Sequence, residues 1–329
     1  MVVAAAVFVT RSIPGAARAL LEAAADVRAW DREEPPVPRD VLRAAVAEAD
    51  GLYCLLTDAI DADLLAAAPR LRVVSTMAVE YDNVDVAACT RRGIPVCNTP
   101  GVLTEATADL AFALLMATAR RVPEAERYLR DGRWRTWSPL LLAGQDVHGK
   151  SIGIVGAGRI GQAVGARARG FGMEVLYTAR SPKPAFEAGC RARRCASLDE
   201  LLGAADYVSL HAPLTPETHH MIGEAELRRM KPTAVLVNTA RGPLVDEAAL
   251  VRALAEGWIW AAGLDVFERE PVTPDHPLLR LPNVVTLPHI GSATVATRTA
   301  MAVLAAENLV AVLQGRRPAA CVNPEVLGG

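Results

Sequence analysis

Residues 151–177 read S-I-G-I-V-G-A-G-R-I-G-Q-A-V-G-A-R-A-R-G-F-G-M-E-V-L-Y. An apolar run, Ile152 to Val155, leads into Gly156, Gly158 and Gly161. An amphipathic stretch follows, and then a second apolar run, Glu174 to Tyr177. Strand, G-x-G-x-x-G turn, helix and strand is the context in which this motif binds the pyrophosphate of a dinucleotide. Gly156 permits the tight turn, Gly158 lets the backbone approach the pyrophosphate, and Gly161 lets the helix lie close to the strand. The helix N-terminus adds unbonded N–H groups and a partial positive charge.

Downstream, the pattern repeats. Tyr207 to Leu210, Ala234 to Asn238, Ala261 to Leu264 and Val284 to Leu287 read as further strands separated by helical segments. Upstream, Val2 to Val9, Gly51 to Leu56, Leu71 to Ser75 and Ile94 to Cys97 read as strands, with helical patterns such as Pro38 to Glu48 and Asp61 to Ala68 between them. Regular alternation of this kind predicts parallel sheets covered on both faces. A long helical stretch, Glu105 to Arg130, lies between the two series, and a last helix is expected from Ala293 to Leu313. Asp131 to Lys150 is irregular yet holds Trp134, Trp137 and three leucines, which suggests an arm that packs against something, such as a second subunit.

The 329 residues, 51% of them apolar, are enough for two domains. The net charge of −2 and pI near 6.3 come with no basic stripe, so neither nucleic acid nor an anionic membrane is an expected partner. The strongest apolar run, Leu110 to Ala119, is half the length a bilayer span requires. The apolar N-terminus lacks the preceding basic residues of a signal peptide and reads as a first strand. Six scattered cysteines, without C-x-x-C or zinc-type spacing, read as free thiols in a reducing cytoplasm, and no metal site is expected.

At the end of the second strand of the glycine-turn unit, an NAD site places an acidic residue against the ribose hydroxyls. Here the sequence is E-V-L-Y-T-A-R-S-P-K-P, so the acidic slot falls near Ala179 and is followed by Arg180, Ser181 and Pro182. A guanidinium and a hydroxyl without a carboxylate favour a 2′-phosphate and hence NADP(H), with NAD as the alternative.

Three strand ends carry polar groups of complementary type. N-T-A-R-G (238–242) supplies Arg241, L-D-V-F-E-R-E-P (264–271) supplies Asp265 and Glu270, and L-P-H-I-G-S-A-T (287–294) supplies His289. Ligands of open α/β sheets bind beyond the carboxyl ends of strands, where these groups can converge. An arginine there holds a carboxylate bidentately, a histidine can protonate a carbonyl oxygen, and a neighbouring carboxylate fixes the histidine's tautomer.

With these segments in this order, joined by S-T-M-A-V-E-Y-D-N-V-D (75–85) and T-P-G-V-L-T-E-A-T-A-D (99–109), the chain resembles the D-isomer-specific 2-hydroxyacid dehydrogenases, and among them the glyoxylate/hydroxypyruvate reductases. The resemblance implies two doubly wound domains. A flavodoxin-like substrate domain would comprise residues 1–101 and 292–329, with a Rossmann cofactor domain, residues 102–291, inserted into it. It further implies that Arg241 binds the substrate carboxylate, that His289 donates the proton and that Glu270 pairs with His289. Gly156, Gly158, Arg159, Ile160, Gly161, the 180–182 loop, Thr239, Ala240, Asp265, His289 and Gly291 match cofactor-contacting positions. Met77, Ala78, Val79 and Glu80 match a loop whose backbone N–H groups hold the substrate carboxylate. Glu80 departs from the family pattern, which has glycine there. The arm resembles the dimerising segment of the reductase branch, so a homodimer is expected, with Trp137 reaching the partner's cleft. The implied activity is reduction of a small 2-oxo acid. The alternatives are an NAD-dependent sister enzyme, such as a phosphoglycerate dehydrogenase, and a cofactor-gated corepressor-like protein. The chain is expected to lack the regulatory domain that some phosphoglycerate enzymes carry.

Overall fold

The computed structural model describes residues 4–328, which form twelve strands: β1 Ala6–Val9, β2 Asp26–Ala29, β3 Gly51–Cys54, β4 Val73–Thr76, β5 Val96–Cys97, β6 Ser151–Val155, β7 Glu174–Thr178, β8 Arg193–Arg194, β9 Tyr207–Leu210, β10 Val235–Asn238, β11 Ala261–Leu264 and β12 Val284–Thr286. They fall into two compact units, Met1–Leu103 with Ala293–Gly329, and Thr104–Ser292. Val2 and Val3 of the expected first strand lie outside the described residues.

The first unit holds a parallel five-stranded sheet of order β2-β1-β3-β4-β5. This is the doubly wound 2-1-3-4-5 arrangement. Every residue of β3 and β4 is buried, because helices cover both faces and no side of the pleat meets water. The helix Val295–Leu313 closes one face. It is capped by the Thr294 hydroxyl and accepts from the Tyr53 hydroxyl at Ala302 O (3.2 Å) and from Ser75 at Ala305 O (2.7 Å). By length and apolarity this helix could cross a membrane, but Met301, Ala302, Ala305, Ala306, Asn308 and Leu309 are buried within the unit.

The second unit holds a parallel seven-stranded sheet of order β12-β11-β10-β9-β6-β7-β8. The strand order reverses between β6 and β9, and a crevice opens at such a switch point. Helix Thr104–Ala119 packs Ala108, Ala111, Leu114 and Leu115 into the core of this unit. The helical stretch expected from Glu105 to Arg130 is in fact two helices. Arg121 takes a left-handed conformation (φ 53°), and Pro123 starts the second helix, Val122–Arg130, where its missing N–H costs nothing. Residues 131–150 contain neither helix nor strand, and Trp134, Trp137 and Leu140 lie exposed along them.

Candidate active site

The glycine turn leaves β6 and opens the helix Arg159–Gly170. Gly156 has φ +96°, and a Cβ there would lie 2.6 Å from Ala212 N and 2.7 Å from the His211 carbonyl, so only glycine fits. A Cβ on Gly161 would lie 2.3 Å from Gly156 O, which fixes how closely the helix approaches its strand. By contrast, nothing stands within 4 Å of a Cβ on Gly158, the residue just before the helix, and no side chain caps the helix there. The first intrahelical donor is the Gln162 N–H, to Gly158 O at 3.0 Å. Among the described residues, the N–H groups of Arg159, Ile160 and Gly161 therefore have no protein acceptor, and they can receive a phosphate.

At the end of β7 stand Ala179, half-buried, and Arg180, Ser181 and Pro182, all exposed. Lys183 Nζ donates to the Ser181 hydroxyl at 3.2 Å. Arg194, on the two-residue strand β8, donates to Ala179 O at 3.0 Å and so brings a second guanidinium to the Arg180 loop. Arg194 was not predicted from the sequence, where it sits in a run of arginines with no periodicity to mark it. His211, which follows β9 beside Gly156, was also not predicted. Its Nε2 lies 2.8 Å from the Ser209 hydroxyl, and burial pushes its pKa down to about 4, so it is neutral where the dinucleotide would pass.

Beyond β10, β11 and β12 the polar groups converge. His289 Nδ1 lies 2.6 Å from Glu270 Oε2, and the other oxygen of Glu270 accepts the Phe267 N–H at 2.9 Å. Burial raises the Glu270 pKa, but the hydrogen bond and charge of His289, the Phe267 N–H and the charge of Arg241 outweigh it. The carboxyl is therefore held below the usual range. With its Nδ1 committed to Glu270, the histidine has Nε2 left for a ligand. His289 itself is left-handed (φ 55°), a costly conformation for a side-chain-bearing residue that its N–H bond to Asp265 O (2.9 Å) helps to hold. Arg241 follows β10, where Asn238 bridges the turn by donating to Arg241 O at 2.8 Å and accepting from Ala240 N at 3.1 Å.

Asp265 is fully buried. Burial raises its pKa, partly offset by the Ile290 N–H, which donates to Oδ1 at 2.8 Å, and by the charge of His289. Its Oδ2 is buried without a hydrogen-bond partner, and so is Thr239 Oγ1. A Cβ on Gly291 would touch that Oδ2 at 3.3 Å. Buried acceptors without partners are expensive unless a ligand completes them. An unpaired carboxylate oxygen suits the carboxamide N–H of a nicotinamide, and the open glycine turn suits a pyrophosphate. The residues present thus fit a nicotinamide dinucleotide.

In the first unit, Met77 to Glu80 follow β4, again at the carboxyl end of a strand. The turn is anchored through its carbonyls: Asn98 Nδ2 donates to Val79 O (2.7 Å) and Thr99 N to Ala78 O (2.9 Å). Among the described residues, the Ala78 and Val79 N–H groups donate to no protein acceptor. Trp137, on the arm, is 75% exposed and is no core residue of its unit.

A glycine turn on a 3-2-1-4-5-6 type sheet, together with an arginine and a carboxylate-held histidine at its strand ends, defines an oxidoreductase dependent on a nicotinamide dinucleotide. The profile of "D-isomer specific 2-hydroxyacid dehydrogenase, NAD binding domain" matches residues 112–291. The glyoxylate reductase of Korarchaeum cryptofilum is 54% identical over 322 residues, covering 98% of this chain and 96% of that one. The glyoxylate reductase of Aeropyrum pernix is 53% identical over 325 residues, covering 98% and 96%. Among solved structures, the NADPH-dependent glyoxylate/hydroxypyruvate reductase of Sinorhizobium meliloti, in complex with NADP and malonate, superimposes with a TM-score of 0.84 at 35% identity, covering 97% of this chain and 96% of that one. The chain belongs to the D-isomer specific 2-hydroxyacid dehydrogenase family.

Proposed function

We propose that this enzyme reduces glyoxylate, and hydroxypyruvate as a second substrate of the same class, to the corresponding 2-hydroxy acid, with NADPH as the preferred reductant. The observation that carries this reading is the 2.6 Å contact between His289 and Glu270 at the strand ends that also bear Arg241 and the unpaired Asp265 oxygen. Names of relatives about 50% identical over nearly the whole chain support the choice of substrate.

When bound, the reduced cofactor supplies a hydride for the substrate carbonyl carbon. Arg241 binds the substrate carboxylate and offsets the charge that develops on the carbonyl oxygen. Glu270, kept ionised by its surroundings, holds Nδ1 of His289, so that Nε2 presents the proton which that oxygen receives. In the first unit, the Ala78 and Val79 N–H groups are available to an anion. Asp265 and Thr239 orient the nicotinamide end, the glycine turn holds the pyrophosphate, and Arg180 with Ser181 receives the 2′-phosphate. The working form is a cytoplasmic homodimer built through the arm, with the exposed Trp137 extending to the partner subunit. No nucleic acid or membrane enters this scheme.

The test is NADPH oxidation followed with glyoxylate, hydroxypyruvate, pyruvate and a phosphorylated 2-oxo acid. Highest kcat/KM for glyoxylate or hydroxypyruvate is the expected result. A clear preference for a phosphorylated or larger acid, or no turnover with any of them, overturns the reading.

A further inference from the structure

The first unit brings two cysteines together at one corner. Cys97 ends β5 and is fully buried. The C-terminal tail runs beside it, with the Val322 N–H donating to Val96 O at 2.8 Å. Asn323 pins this crossing: its Oδ1 accepts the Val96 N–H at 2.7 Å, and its Nδ2 donates to Ile94 O at 3.0 Å and to the Thr90 hydroxyl at 2.9 Å. The bonds of Val322 and Asn323 to Val96 set Cys321 beside Cys97, close enough for the two thiols to interact, and Cys321 Sγ lies 3.5 Å from Asn323 Oδ1. Cys321 is half-buried, so one member of the pair is within reach of solvent.

We propose that Cys97 and Cys321 are a reversible modification site, joined by a small disulfide oxidant into a cross-link that staples the C-terminal tail to β5. The half-buried Cys321 loses its proton and attacks one sulfur of the oxidant, releasing one thiol. The Cys97 thiol, as its thiolate, then displaces the second thiol from the mixed disulfide on Cys321. One disulfide forms in the protein, two thiol protons leave, and the oxidant is reduced to two thiols. Burial pushes the Cys97 thiol up to about 12 and raises Cys321 as well, so thiolate is scarce and the reaction is slow. This pair is therefore suited to sustained oxidation rather than rapid signalling. Because the bridge closes a long loop in the unfolded chain, it stabilises the folded unit.

The test is incubation of the intact, folded protein with oxidised glutathione, followed by thiol counting under denaturing conditions, non-reducing peptide mapping and thermal melting. Two of the six thiols should disappear. A Cys97–Cys321 peptide should appear, and Tm should rise by roughly 5 °C. Dithiothreitol should reverse all three changes. Cys321→Ser should abolish the peptide and the rise in Tm, and Cys97→Ala provides the same control where the first variant folds poorly. Oxidation that yields only mixed disulfides with glutathione, a link between other cysteines, or a Cys97–Cys321 link without a rise in Tm overturns the proposal.

Discussion

Gly242 and Phe267 meet backbone against backbone: a Cβ built on Gly242 would fall 1.8 Å from the carbonyl carbon of Phe267 and 2.0 Å from its oxygen. The segment that carries Arg241 is thereby pressed onto the loop that carries Glu270, whose Oε1 accepts the Phe267 N–H. The same loop is tied on its far side by a reciprocal pair: Glu247 N donates to Glu268 Oε1 at 3.0 Å, and Glu268 N to Glu247 Oε1 at 2.8 Å.

Gly242→Ala should therefore damage both stability and turnover. The atoms in the way are backbone, which cannot rotate aside. Destabilisation is expected at or above the roughly 1–3 kcal/mol of overpacked cores. Separation of the two loops by about 1 Å would cost on the order of a hundredfold in kcat. Urea denaturation and steady-state kinetics measure the two effects, and a variant with wild-type kcat would show that the contact does not set the site's geometry.

His289→Gln should lower kcat by about two to four orders of magnitude, the usual worth of general acid catalysis, with little change in NADPH affinity. Glu270→Gln tests the partner through stability as well as rate. The folded pKa of Glu270 is depressed below the ordinary glutamate value of 4.5. Its contribution to stability is therefore fully present above that value and lost as pH falls through the lower folded value. The gap in Tm between wild type and Glu270→Gln should be full at neutral pH and close in acid below the ordinary glutamate range. A gap that widened with acid would contradict the assignment.

The elements most legible in the sequence are those buried on both faces. β9 and β11 span the same residues as the apolar runs that predict them, and β6 starts one residue before its run, because a strand covered by helices has no polar alternation to blur its ends. β2 escaped because Asp26 and Arg28 point outward from an edge, leaving only Val27 and Ala29 half-buried. β8 is two arginines long and has no pattern of its own. The placement of Arg241, Glu270 and His289 beyond strand ends was legible because each follows an apolar strand at a recognisable spacing. The donation from Arg194 to Ala179 and the closeness of Gly242 to Phe267 were not, since both depend on how distant segments pack. The break at Arg121 was foreshadowed by Pro123, which cannot sit in a helix interior.

The loop after β7 makes a prediction about the cofactor. Arg180 and Ser181, with Arg194 beside them, should favour NADPH over NADH by about ten- to a hundredfold in kcat/KM, the worth of roughly 1.5–3 kcal/mol for hydrogen bonds to a charged group. Arg180→Ala should erode that preference chiefly through the KM for NADPH. Arg194→Ala should do so more weakly, since its guanidinium also braces the Ala179 carbonyl. Kinetics of the three proteins with both cofactors decide the matter, and a wild-type preference for NADH would reverse the reading of this loop.

Glu80 presents the remaining test, because a carboxylate beside the proposed anion site would oppose that site's function. At about 5 Å from a substrate carboxylate, and with an effective dielectric of 20, the repulsion would be roughly 3 kcal/mol. That would be about a two-hundredfold loss of affinity. Glu80 is half-buried and is engaged in an interaction within the protein. The turn's own anchoring runs through the carbonyls of Ala78 and Val79, so the neighbouring N–H groups keep their orientation whatever the side chain at position 80. Glu80→Gln should then change the KM for glyoxylate by less than about threefold, well under 1 kcal/mol. Glu80→Gly should add backbone freedom at a modest cost of roughly 0.5–1 kcal/mol in stability. Steady-state kinetics of both variants with glyoxylate and hydroxypyruvate provide the measurement. A fall in KM of about tenfold or more on neutralising Glu80 would mean that its charge faces the substrate. The natural substrate would then be a 2-oxo acid bearing a cationic group, which that carboxylate would attract as strongly as it repels glyoxylate.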